Sequence, residues 1–557
     1  MRILDRLHFA GEDPRVRRYL LPTRIVWQQG DIRGAEQLLQ QQSVQIAIQK
    51  TAPITMKNGE DGLKASVVLD FGVEMNGGIR ILSADSAQWR ELRHIRLVFG
   101  ESVAEAMGEI GQKCATNDHA MRDMEVGIPF ASDQEFGQMG FRFVRIELVE
   151  PNAELRLKSI MAVFVYRELE YLGDFSCDDN RLCEIYNTAA YTCHLNMQTM
   201  LWDGIKRDRL VWVGDMHPEM LTIRSVFGAH PIVEESMNFA MGEVEPPKWM
   251  NGMPTYSMWL VLVMWDWYWY TGNLSFLKQR HAYIISLLQQ LESLVDENGA
   301  DHIPEYFLDW PTRDKPAAVS GGRSLLRMAL KTGARVAALL KDTALADTCE
   351  QKFERMTAKT EEHGGFKQVA AFQVLSGVAN IHDVAELLKK DGAHGLSTYL
   401  CYYTLSVLAE GGCRDEAIAQ LRDYFGAMLD CGATTFWEDF DLDWTKTPGR
   451  IDEPVPDGGY DLHGDNGQHC YIGHRHSLCH GWASGPVPFL VEQVLGIRIV
   501  EPGCRQIEIA PHLGRLQWAK GAFPTPHGVL HISHQKRPDG SVDTKIEAPN
   551  GVRVILK

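Results

Sequence analysis

The stretch YSMWLVLVMWDWYWYTGNLSFLKQRHAYIISLLQQLESLV, residues 256–295, places apolar side chains three or four positions apart. This spacing predicts amphipathic or buried α-helices. Its most apolar part, residues 258–270, contains Asp266 and is shorter than the roughly 20 residues that span a bilayer. The stretch therefore predicts helices of a globular protein, with no membrane as partner.

The same helical period begins near Asp178 and continues for about three hundred residues, enough for ten or more helices. No strand-like segments alternate with these helices, which argues against a β/α barrel. Helices in this number close into an (α/α)6 toroid or stack into a solenoid. The segment shows no repeat of fixed length, so the toroid is favoured over a regular solenoid.

Strand-like patterns flank the helices on both sides. Before the helices, short segments rich in Val, Ile and Phe are separated by Gly and Asp, as in ASVVLDF, GGIRILS and FRFVRIELVE. Two polar segments, DFGVEMNGG (70–78) and CATNDHAMRD (114–123), predict turns rather than ligand contacts. The sequence thus predicts an antiparallel β-sandwich over residues 1–172, the (α/α)6 toroid over 173–495 and a small C-terminal antiparallel β-sandwich over 496–557.

Composition excludes several functions. The formal net charge of the 557 residues is −17 and no basic cluster is present, which argues against nucleic acid as a partner. The eleven cysteines are dispersed without a CxxC pair, as in proteins with reduced thiols.

The first thirty residues lack a signal-peptide pattern. A cytoplasmic location is expected, although a trimmed export signal would leave the same start; whether the chain forms a homo-oligomer is left open.

The segment WDGIKRDRLVWVGDMHPE, residues 202–219, is the first candidate site. Asp208 and Asp215 follow Asp203 by five and twelve positions, a spacing that fits no single helical face. The segment is therefore expected to be a loop. Acids, arginines and an aromatic residue on one loop are typical of a site for a polar substrate, although a solvated turn has the same composition. The residues concerned are Asp203, Arg207, Asp208, Arg209, Trp212 and Asp215.

A second candidate lies in a loop of about forty residues, 432–474, inside the helical region. Loops of this length in compact domains are usually functional or disordered. Glu438 lies between Trp437 and further acids, a setting that can raise the pKa of a carboxyl group or tune it as a base. A third loop, EYFLDWPTRD, adds Glu305, Asp309 and Trp310. The acidic run is also compatible with a solvated turn.

Histidines near this loop raise the question of a metal. Their spacing matches no zinc template, so neither a metal nor another cofactor is predicted. We expect the histidines to orient acids or to bind sugar hydroxyls. They are His463, His469, His474, His476 and His480, accompanied by Cys470 and Cys479.

Two acidic loops with adjoining tryptophans favour a carbohydrate substrate. Inverting hydrolysis of a glycoside needs one carboxylic acid that protonates the leaving oxygen and one carboxylate that activates the attacking water. The two carboxyl groups lie about 6.5–9.5 Å apart. A tryptophan can stack on the apolar face of a pyranose, although core packing is the commoner role. Trp212, Trp310 and Trp437 lie next to the acids.

Three segments resemble the α-L-rhamnosidases of glycoside hydrolase family 78, which are six-hairpin glycosidases: residues 203–215, GATTFWE (432–438), and the run from HSLCHGW to LQWAKGAFPTPHG. DFGVEMNGG and FGESVAEAMG resemble the family's accessory domain. The resemblance implies an (α/α)6 barrel between β-sandwiches and an inverting exo-hydrolase that releases terminal α-L-rhamnose.

The resemblance also implies roles for individual residues. Asp208 matches the position of the general acid and Glu438 that of the general base. Asp203 and Asp215 match acids that hold rhamnose hydroxyls, with Arg207 and Trp212 beside them. Trp310, Trp437 and His480 complete the predicted substrate-binding set.

The chain departs from the family in one place, because the acid there is commonly Glu. Asp208 is one methylene shorter, and it lies between Arg207 and Arg209, which would lower a carboxyl pKa where a general acid needs the opposite. Three explanations stay open: Asp203 and Asp215 outweigh the arginines, the arginines point away, or another residue, Asp203 or Glu219, is the acid.

Two other functions stay open. The chain could be a catalytically silent carbohydrate-binding homologue that keeps the loops for recognition. It could also be a six-hairpin glycosidase for another deoxy sugar or a uronic acid, whose carboxylate Arg207, Arg209 or Arg313 could bind.

Overall fold

A computed structural model of the chain describes residues 3–7, 11–46, 54–60, 62–84, 92–356, 362–469 and 471–557. Cys470, which accompanies the histidines of the second loop, lies outside the described residues. None of the described helices is long and apolar enough to cross a membrane.

The N-terminal region forms a nine-stranded antiparallel sheet in the order β3-β4-β9-β5-β8-β6-β7, with β1 paired to β9 and β2 to β5. It has its own hydrophobic core, built from residues such as Leu69, Ile81, Phe99 and Phe141. The elements are β1 (Val16–Leu20), β2 (Arg24–Gln29), β3 (Asp31–Arg33), β4 (Ile54–Lys57), β5 (Ser66–Ser83), β6 (Arg93–Gly100), α1 (Val103–Met107), β7 (Asp123–Ile128), β8 (Asp133–Leu148) and β9 (Glu154–Tyr166).

DFGVEMNGG does not form the tight turn that its composition predicts. The segment lies inside β5, whose pairing with β8 shifts register between Asp70 and Met75 and again between Gly77 and Ile79. Gly77 has a φ of +152°, and a Cβ there would lie 1.7 Å from the carbonyl oxygen of Val163 on β9. The glycine therefore permits close strand approach rather than chain reversal.

The middle of the chain is helical, as predicted. Contacts link α3 to α5, α5 to α8, α8 to α10, α10 to α12, α12 to α14 and α14 back to α3. Helix α5 is apolar on all sides because it packs between α3 and α8 and against the C-terminal region. The helices are α2 (Asn180–Asn196), α3 (Met216–Val226), α4 (Ile232–Glu243), α5 (Pro254–Thr271), α6 (Leu274–Gln279), α7 (His281–Glu292), α8 (Ala317–Leu339), α9 (Thr343–Arg355), α10 (Lys367–Leu375), α11 (Ile381–Lys389), α12 (Cys401–Glu410), α13 (Arg414–Asp430) and α14 (Pro486–Gln493).

Two small sheets follow α14 and share one hydrophobic core with the helices. One has the order β10-β15-β16-β17 and the other β13-β14-β18. The strands are β10 (Asp174–Cys177), which precedes the helices, β11 (Gly467–Gln468) and β12 (Tyr471–Ile472), which form a separate hairpin, and β13 (Ile497–Ile499), β14 (Gln506–Ile509), β15 (Trp518–Thr525), β16 (Gly528–Lys536), β17 (Val542–Glu547) and β18 (Arg553–Leu556).

The C-terminal strands are not all antiparallel, in contrast to the predicted sandwich. β14 and β18 pair in parallel. Between them the chain forms β15, β16 and β17 in the other sheet, and such a crossover connection permits parallel pairing.

Candidate active site

The segment 202–215 lies between α2 and α3 as an irregular loop, as its acid spacing predicts. Its backbone is held from two sides. The amide of Gly481 donates to the carbonyl of Asp203 at 2.7 Å, and the amide of Gly140 on β8 donates to the carbonyl of Ile205 at 2.8 Å. Asp208 and Arg209 both have φ of +55°, a strained conformation that is concentrated at functional sites.

Arg207 joins the two acidic loops. Its Nη1 lies 2.9 Å from Asp208 Oδ1, and its Nη2 lies 2.9 Å from Glu438 Oε2 and 3.1 Å from Oε1. Its Nε donates to the carbonyl of Arg475 at 3.2 Å, and the guanidinium lies 4.6 Å from the centre of the Tyr471 ring. Two carboxylates held by one guanidinium belong to a single site.

Glu438 is fully enclosed and fixed at both its side chain and its backbone. Ser477 donates its amide to Oε2 at 3.2 Å. The carbonyl of Glu438 accepts from Thr398 Oγ1 at 2.6 Å and from Trp482 Nε1 at 2.9 Å. Burial opposes ionisation, but Arg207 and then His480 outweigh it and hold the pKa of Glu438 below its ordinary value. The group is therefore an ionised carboxylate, suited to accept a proton.

Asp203 and Asp215 have the opposite electrostatic setting. Burial, reinforced by repulsion from Asp215, raises the pKa of Asp203 well above its ordinary value, although His480 acts against the shift. Burial also raises the pKa of Asp215, against the effect of His480. Asp203 Oδ1 accepts the amide of Leu210 at 2.9 Å. These acids can hold protons where Glu438 does not.

His480 connects the two sets of acids. Its Nε2 lies 2.9 Å from Asp215 Oδ2, and its Nδ1 lies 3.6 Å from Glu438 Oε1. Burial acts to lower its pKa, but Glu438 and Asp215 outweigh burial and raise the pKa to about 9. The imidazole is thus a buried cation at neutral pH.

Asp208 is the most accessible of these acids, with 13% of its side chain exposed. Besides Arg207, its Oδ1 is approached by His119 Nε2 at 3.2 Å. Arg209 points away and donates to the carbonyls of Gln138 at 2.8 Å and His119 at 2.5 Å. Of the two arginines that flank Asp208 in sequence, only Arg207 therefore lies against its carboxylate.

The three predicted tryptophans have different surroundings. Trp212 is partly buried, with its ring edge-on to Tyr256 at 5.8 Å. Trp310 is partly buried, and its ring lies 5.2 Å from that of Tyr471, which in turn lies over Arg207. Trp437 is 1% exposed and packs edge-on against Phe440. Trp212 and Trp310 therefore border the site, whereas Trp437 is a core residue.

Glu219 and Asp309 are buried beside the site and Asp439 is partly buried, whereas Glu305, Asp441 and Asp443 are exposed. Burial, aided by Asp215 and Asp203, raises the pKa of Glu219 well above its ordinary value. Burial raises the pKa of Asp309 to about 6 and that of Asp439 to about 7. Asp309 caps the turn that carries Trp310 by accepting its amide at 2.8 Å.

The histidines near the second loop bind protein groups. His474 Nε2 lies 2.9 Å from Asp461, and His476 Nε2 accepts the amide of Asp439 at 2.9 Å. His463 forms a buried trio with Glu101 and Glu105 whose ligand atoms lie within 4.8 Å of one another. The ammonium group of Lys206 lies 3.1 Å from Glu101 and 3.2 Å from Glu105 and is the cation that pairs with these two glutamates.

Several contact residues were not predicted. Tyr256, Tyr471, Ser477 and Lys206 carry no local signal that separates them from core or loop residues. His119 belongs to CATNDHAMRD, which was predicted to be a turn, and the structure places this N-terminal residue against Asp208. Its polar composition was the only sequence signal.

His480 leads to a prediction about stability and pH. Its folded pKa of about 9 exceeds its ordinary value of 6.5, so its contribution to the free energy of unfolding is fully present below pH 6.5 and is lost as pH rises through 9. The free energy of unfolding of the wild type should therefore fall by an amount on the order of 3 kcal/mol between pH 6 and pH 9.5, as measured by urea unfolding. In His480→Gln this fall should be absent. The exposed His302→Gln should keep the wild-type pH dependence, and the same dependence in His480→Gln would contradict the assignment.

Two family models match the sequence. The model described as bacterial alpha-L-rhamnosidase 6 hairpin glycosidase domain matches residues 170–365, and the model for the bacterial alpha-L-rhamnosidase C-terminal domain matches residues 496–557. No curated protein matches the chain significantly in sequence.

Solved structures show the same fold at low sequence identity. A family 78 rhamnosidase of Bacillus sp. GL1 has a TM-score of 0.73 and 20% identity, over 90% of this chain and 54% of its own. The α-L-rhamnosidase from Dictyoglomus thermophilum has a TM-score of 0.68 and 19% identity, over 90% of this chain and 57% of its own. A rhamnosidase from Klebsiella oxytoca, solved with rhamnose bound, has a TM-score of 0.64 and 20% identity, over 86% of this chain and 96% of its own.

The chain thus spans little more than half the length of the first two of these structures. The resemblance to the family is nevertheless confirmed by two matches in sequence, over residues 170–365 and 496–557, and by the shared fold. Residues 170–365 and 496–557 therefore match the six-hairpin glycosidase domain and the C-terminal domain of the bacterial α-L-rhamnosidases, a family of glycoside hydrolases.

Proposed function

We propose that the chain is an inverting exo-hydrolase that releases terminal α-L-rhamnose, with Glu438 as general base and Asp208 as general acid. The observation that carries the proposal is the Arg207 guanidinium, which holds both carboxylates in one site. The domain matches and the rhamnose bound in the Klebsiella oxytoca structure support rhamnose as the sugar of the substrate.

In this mechanism Glu438 begins the cycle ionised, as its lowered pKa requires. It accepts a proton from a water molecule whose oxygen attacks the anomeric carbon. The bond between that carbon and the leaving oxygen breaks as Asp208 transfers its proton to the oxygen. Attack from the face opposite the leaving group inverts the configuration.

Asp208 is the better acid on grounds of access. Burial raises the pKa of Asp203 and that of Glu219, but these residues are only 3% and 1% exposed. Asp208 has 13% of its side chain exposed and can meet a leaving group that faces solvent. We assign Asp203 and Asp215 to the rhamnose hydroxyls, with the cation of His480 holding Asp215 in place.

The remaining binding residues follow from their positions. Arg207 spans the two carboxylates, and Trp212 and Trp310 border the site on opposite loops. We expect the two indoles to pack on the sugar or its aglycone. Trp437 is left out of this binding set, because its ring is 1% exposed and its Nε1 is buried as well.

The finer architecture is part of the proposal. We infer that α3, α5, α8, α10, α12 and α14 are the inner ring of an (α/α)6 toroid, because their contacts close on themselves. We also infer β-sandwiches at both ends, with domain boundaries near residues 172 and 495. Both acidic loops then open at one end of the ring.

One observation favours a second candidate, the catalytically silent homologue. Asp208 is shortened relative to Glu and is approached by two potential cations, Arg207 and His119. The shorter side chain reaches less far toward a leaving oxygen than a glutamate at this position would.

A panel of aryl glycosides separates these functions. We expect hydrolysis of the α-L-rhamnoside and, by NMR, the β anomer of rhamnose as the first product, because attack comes from the opposite face. The α anomer as first product would exclude inversion. Binding of rhamnose without turnover would favour the silent homologue, and a preference for a uronide would place a carboxylate-bearing sugar at Arg207 or Arg313.

A further inference from the structure

The N-terminal region reaches the candidate acid through His119. This residue lies between the short 3-10 helix Gln112–Cys114 and β7, with φ of +61°. Its Nε2 is 3.2 Å from Asp208 Oδ1, and 38% of its side chain is exposed, against 13% for Asp208. The imidazole therefore contacts solvent on one side and the carboxylate on the other.

The segment that carries His119 is fixed on both of its sides. Asn117 exchanges hydrogen bonds with the backbone of Asp123, at 3.0 and 3.1 Å. Asp118 binds Arg475 at 2.9 Å, and the carbonyl of His119 accepts from Arg209. Both acidic loops thus hold the segment, and the placement of His119 is not that of a free turn.

The mechanism leaves Asp208 in need of a proton. After each turnover its carboxylate has given its proton to the leaving group, and Arg207 Nη1 lies 2.9 Å from its Oδ1. A group that exchanges protons with water near neutral pH and touches the carboxylate would restore the acid, and imidazole is the side chain with this property. The charged groups that face His119 are Asp208 and Arg209, with Asp118 beside it in the chain and paired to Arg475.

We propose that His119 is a positioning residue that relays protons from solvent to Asp208. The proposal rests on the proposed function. The bond between Nε2 and its proton breaks and a bond to Asp208 Oδ1 forms, leaving a neutral imidazole and a carboxylic acid. Rotation about Cβ–Cγ of Asp208 presents the proton to the leaving oxygen, solvent reprotonates the imidazole, and the proton taken by Glu438 returns to solvent.

Two substrates test the relay in the full chain. An alkyl α-L-rhamnoside needs protonation of its leaving group, whereas 2,4-dinitrophenyl α-L-rhamnoside does not. In His119→Ala and His119→Gln we expect kcat on the alkyl substrate to fall at least about tenfold with KM little changed, and kcat on the dinitrophenyl substrate to stay constant. Added imidazole should restore the alkyl activity of His119→Ala.

Matched variants separate the possible failures. His94→Ala removes another partly exposed histidine of the N-terminal region that pairs with a carboxylate, Glu150, and should leave both activities unchanged. Asp208→Asn should lose alkyl activity without rescue by imidazole. Full alkyl activity in both His119 variants, or an equal loss on both substrates without rescue, would overturn the relay alone. A wild type inactive on both rhamnosides would overturn the proposed function and the relay with it.

Discussion

Replacing Glu438 with Gln should lower kcat on an aryl α-L-rhamnoside by about 10³-fold or more, because the amide cannot take a proton from the attacking water. Substrate binding should change little, since the amide oxygen can still accept from Arg207 and Ser477, which contact Glu438 at 2.9 and 3.2 Å. Initial rates at saturating substrate, with the thermal midpoint of each protein, provide the measurement.

Asp443→Asn is the matched control. Asp443 is on the same loop, but it is exposed and pairs with Lys446 at 2.7 Å, so the same exchange of carboxylate for amide should leave kcat unchanged. A Glu438→Gln protein that folds and turns over like the wild type would remove Glu438 from the role of base.

Replacing Lys206 with Met should lower the free energy of unfolding by about 3–5 kcal/mol. The Lys206 ammonium is buried, 3.1 Å from Glu101 and 3.2 Å from Glu105, and it also donates to the carbonyls of His474 and His476. Without it, two enclosed carboxylates lose their cation. Urea unfolding at pH 7 measures the change.

The control for Lys206 is Lys446→Met, which breaks an ion pair whose lysine side chain is 70% exposed and should cost at most about 1 kcal/mol. Equal losses of unfolding free energy in the two variants would contradict the role of Lys206 as the buried cation of Glu101 and Glu105.

The pH dependence of the Lys206→Met loss gives a second check. Burial raises the pKa of Glu101 to about 7 despite Lys206, so this group makes the wild type less stable as pH rises from 4.5 to 7. Loss of the cation should raise the pKa of Glu101 further and extend that decline to higher pH. The cost of Lys206→Met should therefore be smaller at pH 5 than at pH 8.

The sequence predicted the parts of this molecule that depend on local pattern. Helical periodicity located the helical region, and acid spacing identified the loops that Arg207 joins. The turn predicted for DFGVEMNGG was wrong, because Gly77 permits the close approach of β9, a contact between segments that are distant in the sequence. The strand β15 depends on similar contacts: WAKGAFPT lacks clear alternation, and its pairing with β10 and β16 stabilises it.

The contacts of Asp208 could not be predicted from its neighbours in the sequence. Two arginines flank it in the chain, but the left-handed backbone at Asp208 and Arg209 directs Arg209 away from the carboxylate. The contact that replaces it comes from His119, 89 positions earlier in the chain. Only tertiary structure determines such a partner.

The strand Asp174–Cys177 forms four residue pairs with β15, so the chain entering the helices is tied to its own last sixty residues. A shortened protein that stops at residue 495 would leave this strand with an unsatisfied edge and expose the apolar faces of Phe175 and Tyr270, which contact the lost region or its core. Efforts to minimise the catalytic portion for expression should therefore trim neither terminus of the 174–557 unit.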